Sequence, residues 1–350
     1  MTDHPVHRKK ESSRIQSGAV AFFCQPAIIK LINPLEMSDF MSERTSPLSK
    51  TPLLFLCALI ACGLWGSAIP FIKLSYALFH IDTGNPGSLL LFAGVRFMIA
   101  GVMVLAVYSA KERRAPLPAA GDWPRIALIS FFQTAMQYFC YYLALRYTSG
   151  VTASILVGAN TFFSILIAAL IFRMEPLTAR KLTGCVVGFA GVVISQLGGG
   201  MQFSFSLRGE GMILLSTVAA ACSAVLMRRF SPGRSPILFS GWQFFLGGAA
   251  LTVLGLAMGG RWGTVSPAST AVLIYLALVS AVAYTLWASL LKHNPVSRVT
   301  VFGFLTPVFG VLFSALFLRE SGALDLRALA ALVLVCAGIY VVNRAPENSK

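Results

Sequence analysis

The residues that could do chemistry in this 350-residue chain are few, and nearly all lie inside long apolar runs. Arg96 stands near the middle of the run 88–108. Gln133, Gln137 and Tyr141 recur every fourth residue in the run 125–145 and so share one helical face, with Tyr138 and Tyr142 on the face beside it. Tyr284 and Trp287 sit in the run 271–291, and Gly303, Thr306, Pro307 and Gly310 in the run 299–318. A guanidinium fork matches a carboxylate. Amides and hydroxyls exchange hydrogen bonds, and indole and phenol rings wall an apolar body. These groups bind; they do not make a catalytic set.

What is missing sharpens that reading. All thirteen Asp and Glu residues fall in tails, loops or the ends of runs, so no carboxylate proton relay crosses the apolar region. The four histidines, His4, His7, His80 and His293, lie outside run interiors, and neither HExxH nor a Ser/His pair at depth occurs. No enzyme is expected. There is no GxxxxGK loop for nucleotide phosphates. The seven cysteines show no CxxC spacing, so no metal or other cofactor is called for.

The elements that must position these groups follow from composition. The chain is 56% hydrophobic and 12% charged, with a mean hydropathy of +0.75, whereas soluble domains carry about 25% charged residues. Ten apolar runs, 53–72, 88–108, 125–145, 152–172, 182–198, 210–229, 237–257, 271–291, 299–318 and 327–343, are each long enough to cross a hydrocarbon core of about 30 Å as a helix. Lipid requires helix there, because every backbone polar group must be satisfied within its own segment. Turn residues divide the runs, as at Gly84-Asn85-Pro86-Gly87, Pro116-Leu117-Pro118, Ser231-Pro232-Gly233 and Gly259-Gly260.

The net charge of +15 is scattered between these runs rather than gathered in one block, which argues against nucleic acid as a partner. Beyond residue 40, the basic residues near run ends divide sixteen to six between the two sides, placing both termini in the cytoplasm of an inner-membrane protein. Residues 1–50 are polar, interrupted by four prolines, and are expected to form a disordered tail; Met37 and Met41 offer alternative starts.

The sequence also matches itself. Gly158–Glu175 lies over Gly303–Glu320 without a gap at an offset of 145, and the same offset sets Phe139 over Tyr284 and Tyr142 over Trp287. Phe92–Phe97 lies over Phe239–Phe244 at an offset of 147, which places Gln243 opposite Arg96. The expected fold is therefore an all-α polytopic membrane protein: ten transmembrane helices in two five-helix repeats, 51–200 and 208–345. An odd number of helices per repeat inverts the second half, an arrangement associated with secondary transporters.

With these features the chain resembles the drug/metabolite transporter superfamily, in its EamA-domain branch. Leu64-Trp65-Gly66-Ser67 with Pro70 and Lys73, then Arg96-Phe97, Ala153-Ser154-Ile155-Leu156, Glu175-Pro-Leu177-Thr178 and Gly184 carry the resemblance in the first half. Tyr284, Trp287, Thr306-Pro307, Arg319-Glu320 and Ala337-Gly338 carry it in the second. The resemblance implies export or exchange of small organic metabolites such as amino acids by alternating access, in contact with membrane lipid. Trp65, Arg96, Gln133, Gln137, Tyr141, Tyr284, Trp287 and Thr306 are the candidate substrate contacts. Relatives often carry a proline early in the fourth helix; here Phe162 stands opposite Pro307, so the kink is expected in the second half alone. A lipid-handling protein or an intramembrane enzyme is the alternative reading.

Overall fold

The computed structural model describes residues 47–144, 146–148, 150–196, 205–318 and 326–344. The expected N-terminal tail, apart from its last few residues, and the motif pair Arg319-Glu320 lie outside the described residues.

The turn chemistry read from the sequence starts and stops the helices. Helix α1 (Thr51–Phe79) has a proline in its first turn and ends on His80 in the left-handed region, at φ 54°. Asn85 caps α2 (Pro86–Glu112) by accepting a hydrogen bond from the Gly87 amide, with Pro86 in the first helical turn. Ser235 caps α9 (Pro236–Ala257) in the same way, and Ser266 and Ser269 form a reciprocal capping box on α10 (Pro267–His293). Gly233 and Gly259, at φ 66° and 73°, supply turn conformations that side-chain-bearing residues rarely adopt.

The remaining runs are less regular. Helix α3 (Trp123–Ser130) passes through a π-helical stretch (Phe131–Met136) into α4 (Gln137–Ala144). Helices α5 (Gly150–Gly158) and α6 (Asn160–Leu166) are separated at Ala159, and a second π-helical stretch (Ile167–Ile171) follows. Helix α7 (Ala179–Gln196) closes the first half. A π-helical turn (Leu207–Gly211) leads into α8 (Met212–Phe230). After α9 and α10 come α11 (Val296–Thr300), a 3-10 turn (Val301–Phe304), α12 (Leu305–Leu318) and α13 (Leu326–Asn343). Among the described residues, five helices are long and apolar enough to cross a membrane: α1, α2, α8 with its π turn, α9 and α10. Val107, Leu170, Val186, Val253, Leu316 and Val333 are each more than half exposed, an apolar outer surface that suits lipid rather than water.

The expectation of a kink in the second half alone is corrected. Pro307 lacks an amide hydrogen, and the α-helix gives way to the 3-10 turn just before it. Yet the first half breaks at the corresponding place, at Ala159, without any proline. The two segments cross there: the Thr161 hydroxyl donates to the Thr300 carbonyl at 2.9 Å, and a side chain on Gly303 would point at Thr161. Tertiary packing supplies the break that local sequence does not require.

The core of the bundle is the antiparallel pair α2–α9. Gly87, Gly94 and Gly101 on α2 recur every seven residues, as do Gly241, Gly248 and Gly255 on α9. Gly94 faces Gly248, Gly87 faces Gly255, and Gly101 faces Gly241, so the backbones touch at three levels. Between the inner two levels Phe97 lies flat on Phe244, ring centroids 5.4 Å apart and planes 6° from parallel. These are the residues that the internal match sets opposite each other. The other packings come in pairs as well: α10 against α1 and α4 against α8, α12 against α1 and α6 against α8. Helices α7 and α13 close through Gly184, Gly191 and Gly338.

Candidate functional site

The site sits beside the Phe97–Phe244 stack. Arg96 precedes Phe97 on α2 and is only 4% exposed. Its guanidinium carbon stands 4.5 Å from the Phe97 ring centroid, a cation–π contact, and its Nε has no hydrogen-bond partner. Three tyrosines brought from three helices pack on the core that holds Phe97: Tyr76 of α1, Tyr138 of α4 and Tyr284 of α10. Tyr138 and Tyr284 hydrogen-bond to each other at 2.9 Å, joining the two halves. Tyr138 also packs on Phe97 at 4.6 Å, and Tyr284 on Phe244 at 5.0 Å.

A wall of rings continues from Tyr284. Trp65 on α1 meets Tyr284 at 4.9 Å and Trp287 at 5.0 Å, both edge-on, the geometry that ring quadrupoles favour. The Trp65 indole nitrogen is buried with no acceptor. Two residues along α1, Ser67 hydrogen-bonds to Tyr275 at 2.8 Å. Buried donors without acceptors, set against aromatic rings, favour an acceptor-rich guest with an apolar body.

Four of the candidates from sequence, Trp65, Arg96, Tyr284 and Trp287, thus come together. Thr306 is half-buried with its hydroxyl beside the thiol of Cys62, which stands three residues before Trp65 on α1. Gln133 is buried and Gln137 half-buried, while Tyr141, also half-buried, packs on the same core cluster as Tyr138 and Tyr284. The central face is Ser130, Thr134 and Tyr138. Ser130 donates to the Gln243 carbonyl, Thr134 to the Gln243 side-chain oxygen, and Tyr138 reaches Phe97. The intervening π-helical stretch has more than four residues per turn, which holds these three positions in line. Tyr138 is the contact that spacing alone did not single out. The signal was its position one residue from Phe139, which the internal match had set over Tyr284.

At Gln243, opposite Arg96 in the internal match, the side chain is fully buried and its oxygen already accepts from Thr134. The centre therefore has one cation and one neutral amide at equivalent places. An apolar groove of about 290 Å³, lined by Val102, Leu105, Ala106, Ser109, Pro116, Trp242 and Phe245, lies on the flank of the α2–α9 pair and carries no titratable group.

The two ends of the bundle are tied between halves. At the end rich in basic residues, Asp122 pairs with Arg125 at 2.9 Å and Arg234 at 2.6 Å, and Trp242 donates to the Pro116 carbonyl at 2.6 Å. Glu175, in the loop before α7, accepts from the Ser297 amide at the start of α11 and from the Ser297 hydroxyl, and pairs with Lys181 at 2.7 Å. At the opposite end the Thr264 amide donates to the Phe79 carbonyl, Asn85 to the Gly259 carbonyl, and Thr148 to Glu210.

Long apolar helices, an apolar outer surface and a polar, aromatic centre define a polytopic helical membrane protein. Comparison with known proteins gives the family. The model of the EamA-like transporter family matches residues 52–197 and again 207–344, and the chain belongs to that family. An uncharacterized transporter of Archaeoglobus fulgidus is 27% identical over 299 residues, 84% of this chain and 98% of that protein. The probable amino-acid metabolite efflux pump of Salmonella typhimurium is 26% identical over 296 residues, 81% of this chain and 92% of that protein. A crystal structure superposes at a TM-score of 0.68 with 19% identity, over 82% of this chain and 95% of that one, which speaks for the fold. As a member of a transporter family the protein is not an enzyme, which removes the intramembrane-enzyme alternative.

Proposed function

We propose that the chain is a secondary transporter, an exporter or exchanger, that moves small carboxylate-bearing metabolites such as amino acids across the inner membrane. Both termini face the cytoplasm, and the two repeats, 51–200 and 208–345, rock about the centre between α2 and α9 in alternating access. The observation that carries this reading is Arg96: a buried guanidinium with an unpartnered Nε among hydroxyls and rings contributed by both halves. A charge at such depth costs roughly 2.5–3.5 kcal/mol by insertion scales, a cost that a bound carboxylate offsets. The paired packings of α10 against α1 and of α4 against α8 support two halves with exchanged roles, and the name of the Salmonella relative supports the solute class.

The test is counterflow in liposomes holding the purified protein, with a panel of amino acids and organic acids. Flux of at least one carboxylate-bearing solute is expected in the wild type. Arg96→Gln should insert normally and lose most of that flux. Full flux in the variant refutes the contact between Arg96 and solute.

A further inference from the structure

The charge balance of the centre says more about the solute, given the reading of this cluster as the solute site. Arg96 carries a guanidinium, a permanently charged group, whereas Tyr76, Tyr138 and Tyr284 bring phenols, which are uncharged near pH 7. Each carboxylate among the described residues is engaged or far away. Asp82 holds the Gly84 amide, Asp122 holds Arg125 and Arg234, Glu175 holds Lys181 and Ser297, and Glu210 holds Ser206 and Thr148. Glu112 ends the same helix as Arg96, sixteen residues on, which is about 24 Å along a helix axis. Among the described residues, then, no anion answers Arg96. The equivalent place in the other half holds the neutral Gln243, so the centre carries a single positive charge rather than two.

A zwitterion does not remove that charge. Its carboxylate can pair with Arg96, but its ammonium enters with it and the closed centre remains cationic. A solute with one net negative charge brings the centre to neutrality, which a low-dielectric interior favours strongly. We propose that the site takes a monoanionic organic carboxylate with an apolar or aromatic body and no free ammonium, in preference to a zwitterion of the same shape. The carboxylate meets Arg96 beside the Tyr138–Tyr284 hydroxyl pair, and the body lies along Trp65 and Trp287.

Three probes of one shape and different charge test this: 3-phenylpropionate, phenylalanine and phenethylamine, titrated into the purified full chain at pH 7.4 while thermal unfolding is followed. A ligand that binds the folded form alone raises its unfolding temperature. The anion should stabilise with an apparent affinity at least tenfold higher than the zwitterion, and the amine should not stabilise. Arg96→Lys should keep that order, and Arg96→Gln should abolish the preference for the anion. Should Arg96→Gln not fold, the order of the three probes on the wild type still decides. Phenylalanine binding as tightly as 3-phenylpropionate, or no shift with the anion, overturns the proposal. Counterflow of the same probes separates the two readings. Flux of phenylalanine without flux of 3-phenylpropionate keeps the transporter and discards the anion preference. Stabilisation by the anion with no flux of any probe keeps the anion site and discards transport.

Discussion

Adding one methyl group at Gly94 tests whether the α2–α9 contact holds the bundle together. A Cβ there would lie 2.4 Å from the Thr252 hydroxyl, 2.6 Å from the Thr252 amide nitrogen and 2.7 Å from the Gly248 carbonyl oxygen. Ordinary contact begins at 3.4 Å, so the shortest approach falls short by 3.4 − 2.4 = 1.0 Å. The hydroxyl can rotate away; the two backbone atoms cannot. The helices must therefore separate, and separation loosens the Phe97–Phe244 stack beside Arg96. Overpacking of this kind costs about 1–3 kcal/mol. Alanine also gains about 0.8–1.0 kcal/mol of helix propensity over glycine, which would mask part of the clash. Gly63 on α1 supplies the control, because nothing lies within 4 Å of a Cβ at that position. Gly94→Ala and Gly63→Ala share the propensity gain, so the difference between them isolates the clash at about 1–3 kcal/mol. Reversible unfolding in mixed micelles, followed by far-ultraviolet circular dichroism, measures both. Thr252→Ala added to Gly94→Ala should recover only a minor part, since the backbone contacts remain. A Gly94→Ala protein at least as stable as Gly63→Ala refutes the backbone-to-backbone account of this pair.

The other predictions concern the ties between the halves. Glu175→Gln removes the charge from a carboxylate that caps α11 and pairs with Lys181, and should lower stability by about 1–3 kcal/mol in the same unfolding assay; an unchanged value shows that the bond does not hold the ends together. Tyr138→Phe and Tyr284→Phe should each cost about 0.5–1.5 kcal/mol. Their double variant should cost less than the sum, because the two hydroxyls bond to each other; strict additivity would mean that they act separately. Single cysteines at Glu175 and Glu320, in a background without the native ones, should react from opposite sides with an impermeant thiol reagent, and labelling of both from outside contradicts the inverted topology.

The chain alone determined the class of protein and the material of the site. Run length, the scarcity of charge and the lipid requirement for internal backbone bonds left only helices, and Gly84-Asn85-Pro86-Gly87 marked the turn from which Asn85 caps α2. The cost of charge at depth made Arg96 conspicuous, and the self-match placed Phe97 opposite Phe244 before any coordinate did. Tertiary structure decided which faces meet. Spacing fixes a helical face only up to a rotation about the axis, and in the fold it is Tyr138 whose ring reaches Phe97 beside Arg96. The glycines every seventh residue on α2 and α9 were present in the chain, but their meaning is a contact between residues more than 130 positions apart. The break at Ala159 has no proline to announce it; it arises where the segment crosses Thr300 and Gly303. Such features are nonlocal, because they depend on which surface a neighbouring helix presents, and local sequence carries no record of that choice.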